Sequence, residues 1–419
     1  MLQDYSNKVV TVVDNGIFIE LAIRLSEYFG KVNYFMPWVN AFPKTNQILP
    51  GYGIKGLTKV ERLFDVYKET DLFVFPDIYM GDVQLKIVED GKRVFGSRDG
   101  ERLEIYRDEA KELFRSLKLP VGKYEVVIGL DALREYLKKH ENVYVKINKT
   151  RGDMETFDSK NYKLIEPRLD ELEWILGAKK KIMKFIVEDA IDNSIEIGYD
   201  GYSIDGEYPS IASFGIEIKD CGYLGVFKNY KDFPFVLTSF NTAISPWMKE
   251  KQYRNFFSTE NRIVSKNLAY MTDACCRAGS PPSETYQNNY KNLPDIIWYG
   301  AEGIMISPEI KYKYVSEIMI HSQWADKNWQ PIQFPDTIRK NLKFRNLAVI
   351  ENEYYVVPQV VGLPEIGAVV AGADTIGEAF KKVLTYAKQV EGYFIESKDE
   401  SLEKVTESIN KLKTFGIAI

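Results

Sequence analysis

The chain has 419 residues, 45% hydrophobic and 27% charged, with a formal net charge of -5 and a pI ≈ 5.5. That length suits roughly two to four domains, and the composition excludes a disordered chain. The acidic balance shows no basic stripe for a nucleic-acid backbone, so a nucleic-acid partner would need a local patch.

Cys221, Cys275 and Cys276 are too few and too close for a disulfide framework. His140 and His321 alone do not make a zinc site, so any metal is expected to be a hard cation held by carboxylates and phosphate. The N-terminal segment lacks a basic stretch followed by a long apolar run, and no long uncharged apolar stretch occurs. A cytoplasmic protein without membrane contact is expected.

Residues 1–96 alternate strand and helix signals. The run KVVTVV at 8–13 reads as a strand buried on both faces, followed by the turn Asp14-Asn15-Gly16. A helix over 17–29 ends at Gly30, and further strands are predicted at 32–36, 72–75 and 92–95. This rhythm predicts a small parallel α/β domain, with 39–57 as a loop near the strand ends. From residue 97 the pattern predicts one helix over 103–117, a helix at 130–140 and a strand at 143–147. A polar loop at 149–157, a helix at 169–176 and a strand at 184–187 follow. Residues 195–306 read as strand-rich with one helix near 243–251. The tail predicts a helix at 375–389, a strand at 392–396 and a closing helix at 401–413.

Four features could carry chemistry. Lys146 lies in the apolar run VYVKINK, where a buried lysine needs an anion; the other reading is an exposed edge-strand lysine. The loop behind it has one glycine, Gly152, and could close over phosphates or simply turn a hairpin. A strand ends at Glu188, and Glu196 follows eight residues on. The backbone near Glu188 could meet an adenine edge and Glu196 a ribose, or both could be surface carboxylates. Glu260 and Asp273 sit on two apparent strands joined by a turn, a spacing that brings them side by side. Two facing carboxylates repel unless a cation lies between them, and Mg²⁺ bridging ATP phosphates would serve. Arg277 could then clamp a phosphoryl or carboxylate group; alternatively these acids pair with Arg262 or Arg277.

With these parts in order, the chain resembles the ATP-grasp ligases and is most like the phosphoribosylamine–glycine ligases. The resemblance runs through VFPDIYMG (74–81), VFGS (94–97), LEIYRDEAK (103–111), KLPV (118–121) and YVK (144–146). It continues through 187–196, TDACCRAGSPPSE (272–284) and GADTIGEAFKKVLTYAKQ (372–389). It implies an N-terminal parallel α/β (pre-ATP-grasp) domain at 1–96, a two-subdomain ATP-grasp core at 97–320 with its lid at about 122–187, and a small C-terminal α+β domain at 321–419. It further implies that Arg107 and Lys146 contact ATP phosphates, that residues around Glu188 hold adenine and that Glu196 holds ribose. Glu260 and Asp273 would ligate Mg²⁺, with Mn²⁺ as an alternative, and Arg277 would stabilise the transferring phosphoryl group. The pattern departs at Val13–Ile17 (VDNGI), at Asp273 in place of glutamate and at Cys275 in place of asparagine, a poor Mg²⁺ ligand. A divergent branch is implied.

The expected reaction joins a small-molecule carboxylate to an amine through an acyl-phosphate, with ATP spent to ADP. Catalysis would rest on positioning and electrostatics, under a lid that excludes water. Asn15, Asp77, Lys219 and Arg254 are candidate lining residues, and Lys219 is the candidate second catalytic group. Two alternatives stand beside this: a lapsed ligase that binds nucleotide or a partner, and a ligase acting on a macromolecular amine. A homodimer is the family-level expectation.

Overall fold

The structure is a computed structural model that describes residues 3–37, 49–149, 156–219, 221–358, 365–398, 401–417 and 419. Five parallel strands open the chain, in spatial order Leu57–Val60, Lys31–Phe35, Val9–Val13, Leu72–Val74 and Arg93–Phe95. Val9–Val13 lies in the middle, and its β-branched run buries Val10 and Val12 completely, one reason it can be central. The edge strand Leu57–Val60 was not predicted, because LTKV is too short and too polar to stand out. Of the loop expected at 39–57, residues 39–48 lie outside the described residues.

At the carboxyl end of the central strand, Asp14 organises the turn. Its Oδ2 accepts from Gly16 N and Phe18 N, both at 3.0 Å, and from Tyr34 Oη at 2.7 Å. Gly16 has φ +103°, and a Cβ there would come within 2.0 Å of Asn346 Oδ1. Glycine thus lets a loop of the C-terminal region close onto this strand end, where Asn346 N donates to Gly16 O at 2.7 Å.

Residues 124–189 form a four-stranded antiparallel sheet in the order Tyr124–Ile128, Lys184–Asp189, Val143–Ile147 and Thr156–Ser159. Helices Leu130–Leu137 and Tyr162–Leu176 complete it, with Leu133, Leu137, Leu169 and Leu172 packed against Val145 and Phe185. Residues 150–155 of the expected phosphate loop, Gly152 included, lie outside the described residues, and Thr156–Ser159 is strand rather than loop.

Nine strands make the large sheet. Its order is Leu268–Cys275, Arg254–Ser265, Ile195–Ile204, Ile211–Ile218, Gly222–Asn229, Tyr314–Ser322, Glu365–Ala373 and Leu342–Phe344, with Ile395–Ser397 paired to Tyr314–Ser322. Residue 320 lies inside Tyr314–Ser322, so this one sheet continues into the C-terminal region. The helix expected at 243–251 starts earlier and spans Phe235–Glu250, burying Val236, Leu237, Phe240 and Ile244 in the core that also holds Tyr199 and Phe257. Two further helices, Ser283–Asn289 and Leu293–Ala301, correct the reading of one helix in 195–306. Their apolar residues mimic buried strands, and only tertiary packing decides between the two. A Cβ at Gly198 would meet Thr259 O of the neighbouring strand at 1.9 Å. Gly198→Ala is therefore expected to cost about 1–3 kcal/mol through forced backbone displacement, read as a lower thermal midpoint.

Among the described residues, no helix is long and apolar enough to cross a membrane.

Candidate functional site

The site begins where one helix breaks. The predicted helix over 103–117 is two helices, Arg102–Ile105 and Arg107–Ser116, separated at Tyr106 with φ -107° and ψ 71°. The break is held from outside. Arg107 N donates to Asn148 Oδ1 at 2.8 Å, and Lys149 N donates to Ile105 O at 2.9 Å. Both partners follow strand Val143–Ile147, so the four-stranded sheet is tied to this corner. The second helix buries Arg107, Ala110, Lys111 and Phe114, a spacing that puts both cations on one face.

Lys146 arrives on the neighbouring strand and is 6% exposed. Its Nζ donates to Thr272 O at 2.6 Å and lies 3.6 Å from both Glu188 Oε2 and Asp273 Oδ2. Glu188 is also gripped by Lys111, at 2.6 Å, while Arg107 Nε lies 3.6 Å from Asp273 Oδ2. Burial works against every charge here, and the partners override it for three of them. Lys146 is raised by Asp273 and Glu188 despite its burial. Burial would raise the Glu188 and Asp273 carboxyls, yet Lys146 holds both low, helped by Lys111 at Glu188 and by Arg107 at Asp273. For Lys111, burial prevails and its ammonium is lowered. Of the two readings of Lys146, the buried one holds, and its anion in this structure is a pair of carboxylates.

Glu260 and Asp273 are direct partners on antiparallel strands, as their spacing predicted. A register shift at Glu260/Asn261 leaves Thr272 as the extra residue and lets its carbonyl turn toward Lys146. Glu260 is exposed at its strand position. Its carboxyl is pushed up by desolvation first, then by Glu196 and Asp273. Two carboxylates of this kind, one charged and one reluctant, suit a small hard cation whose other ligands are phosphate and water. Among the described residues no group of three metal-ligating side chains occurs, so such a cation would depend on those outside ligands. Cys275 does not supply a third, because burial keeps its thiol protonated.

The remaining expected residues are placed as follows. Arg277 Nε bonds Glu104 Oε1 at 2.8 Å, and Glu104, 3% exposed, also accepts from Cys276 N at 2.7 Å. Glu196 pairs with Arg262, its register partner. Glu188 directs its carboxylate between Lys111 and Lys146. Lys219 is exposed just past the strand Ile211–Ile218, close enough to act electrostatically on Glu217 and Glu260. Asn15 and Asp77 sit at the carboxyl edge of the parallel sheet, and Asp77 helps raise the Asp14 carboxyl to about 6, after burial. Arg254 clamps Asp205 at 2.8 Å and donates to Ala301 O at 2.8 Å. Sequence reasoning missed Lys111 and Glu104. The four-residue spacing from Arg107 could have revealed Lys111; no local signal marks Glu104.

No protein-family model matches the chain, and no curated protein matches its sequence. Solved structures match it closely in shape, and together they define the class: the chain has the multidomain ATP-grasp fold, as its resemblance implied. Among them, the phosphoribosylamine–glycine ligase of Thermotoga maritima is similar with a TM-score of 0.69 at 16% identity, over 93% of this chain and 99% of that one. The biotin carboxylase domain of Hydrogenobacter thermophilus 2-oxoglutarate carboxylase, solved as a dimer with MgADP, ADP and bicarbonate, gives 0.67 at 11%, over 96% and 98%. An L-amino acid ligase from Bacillus licheniformis gives 0.63 at 11%, over 93% and 99%.

Proposed function

We propose that the protein is a cytoplasmic, ATP-dependent carboxylate–amine ligase, phosphoribosylamine–glycine ligase-like, forming an amide through an acyl-phosphate and releasing ADP. One observation carries the reading: Arg107, from the helix Arg107–Ser116, and Lys146, from the strand Val143–Ile147, converge on Asp273, the strand partner of Glu260 on the large sheet. In this reading residues 97–320 are the ATP-grasp unit and 122–187 its lid. Magnesium ATP fits this donor set. Glu260 and Asp273 would hold the metal, which neutralises phosphate charge when bound. Arg107 and Lys146, now satisfied by carboxylates, would turn to phosphate oxygens without a change in burial. Glu196 and the chain near Glu188 would line the nucleoside.

The residues' own work is electrostatic. Lys146 and Arg107 would fix the phosphates for in-line transfer, and Arg277, oriented by Glu104, would stabilise the transferring group. Lys219 would meet the substrate carboxylate. A second reading, a nucleotide-binding protein without turnover, draws on the protonated Cys275 thiol in place of a metal ligand. Incubation with Mg-ATP and pools of small carboxylates and amines, followed by mass spectrometry, separates the two. The ligase reading expects ADP matched by a condensation product. Nucleotide binding with no stimulated ADP release would replace it with the second.

A further inference from the structure

The helix Ile19–Ser26 places Glu20, Ile23, Arg24 and, just past its end, Glu27 on one face, at intervals of three, four and seven residues. That face does not look into open solvent. It is one wall of a cavity of about 540 Å³. The other walls are residues 53–55, the end of helix Ser283–Asn289, Lys311 and residues from the stretch 336–354. Glu20 and Arg339 tie the walls together. Arg339 donates to both oxygens of Glu20, at 3.0 and 3.2 Å, and Phe344 N donates to Glu20 Oε1 at 3.3 Å.

The charges around this cavity do not balance. Arg24, Lys55, Lys311, Arg339, Lys340 and Lys343 line it, against Glu20, Glu27 and Asp336. Arg339 is committed to Glu20 and Arg24 to Glu27. Four lysines then face one acid, the exposed Asp336, in a chain whose net charge is -5. Lys343 is 8% exposed. Its Nζ donates to Lys340 O at 2.9 Å, and no carboxylate forms an ion pair with it among the described residues. Burial pushes its ammonium down to about 8, and Arg339 and Arg24 add to the push while Glu20 opposes it. It stays charged at neutral pH. Lys311, at the rim, donates to Asn288 O at 2.7 Å and is lowered by burial and then by Arg24 and Lys340. Crowded cations without a counter-charge lower stability, and an anion among them removes that penalty.

We propose that this cavity is a second ligand site, where Lys343, Lys311 and Lys340 hold a multiply charged phosphate anion. It is separate from the proposed ATP site. Lys343 lies on strand Leu342–Phe344, at one end of the order of the large sheet, and Asp273 lies on Leu268–Cys275, at the other. The volume falls within the roughly 300–1,000 Å³ of small-molecule sites. Ile23, Ile54, Val349 and Tyr354 give the cavity an apolar wall beside the lysines. Free diphosphate and a phosphorylated organic molecule present the same chemistry to the lysines, and the apolar wall favours the second.

Calorimetric titration of the full chain with inorganic phosphate, pyrophosphate and phenyl phosphate tests this. Nucleotide and magnesium are left out, so the result does not depend on the ligase reading. Pyrophosphate is expected to bind more tightly than inorganic phosphate. Lys343→Met keeps the packing of the lysine stem and should weaken pyrophosphate binding by about tenfold or more, the usual loss for a buried charged donor. Lys311→Gln, at the rim, should weaken it by about 2- to 5-fold. Lys343→Met should melt no lower than the parent, since it removes a buried cation that has no counter-charge. With that midpoint kept, undiminished binding by Lys343→Met overturns the site. If the midpoint falls, Lys311→Gln decides, because its exposed side chain carries no core packing, and undiminished binding there overturns the site. Absence of pyrophosphate binding by the parent overturns it as well. Phenyl phosphate carries a charge similar to that of inorganic phosphate. Tighter binding of phenyl phosphate assigns an organic ligand and equal binding a free phosphate, and either keeps the site.

Discussion

Lys146→Met is expected to lower stability by about 3–5 kcal/mol and to abolish nucleotide-dependent turnover. Methionine fills the space of the lysine stem, so little packing is lost. The charge is the difference. Glu188 and Asp273 each lose a cation 3.6 Å away, and Thr272 O loses its donor at 2.6 Å. Removing one member of a buried charged group leaves the others uncompensated, which is the source of that magnitude. The pH dependence has a definite sign. Both carboxyls are held below their ordinary values in the folded protein. A lowered acid contributes stability above its unfolded pKa and loses that contribution as pH falls through the folded value. The gap between parent and variant should be widest above about pH 4.5 and should narrow below it. Thermal melts from neutral to acid pH measure this. Identical melting across the range would place the Lys146 ammonium in solvent and remove it from the phosphate site.

Asp273→Asn is expected to keep the fold and to cut ATP turnover by about 10²–10³-fold, with a higher magnesium requirement. Asparagine preserves the shape and can still accept from Ala274 N, which Asp273 does at 3.0 Å. It cannot supply the charge. In the proposed site that charge is the more dependable of two, because Lys146 and Arg107 keep Asp273 ionised while Glu260 is pushed toward its neutral form. Loss of one charged group aimed at a transferring phosphoryl typically costs this much. Stability should fall less than for Lys146→Met, since Lys146 retains Glu188. ADP release measured against magnesium concentration decides it, and unchanged turnover would remove Asp273 from the metal site.

Several of these features were legible before any coordinates. A lysine within VYVKINK, between apolar neighbours, was either to meet an anion or to lie on an exposed edge, and it is buried against two carboxylates. A separation of thirteen positions from Glu260 to Asp273 implied adjacent antiparallel strands, and they are direct partners. What could not be read was which anion and which face. Strand periodicity says that a side chain points inward, but not what comes from another element to meet it. Arg254 meets Asp205, 49 residues away in the chain, a partner that no local pattern announces. The single helix over 103–117 was a sound local reading. Its break at Tyr106 comes from Asn148 and Lys149, which no window around Tyr106 contains.

The sequence by itself determined the parallel opening sheet, the strand bearing Lys146 and the acidic strand pair. Each is written in local apolar runs, turn residues and spacing, which act over a few residues and need no partner to be recognised. The tertiary structure alone decided that Lys111 joins Lys146 on Glu188 and that Glu104 orients Arg277. Those are contacts between elements far apart in the chain, and their energy comes from charge brought out of water. Only the packed fold sets which charges are taken out of water together.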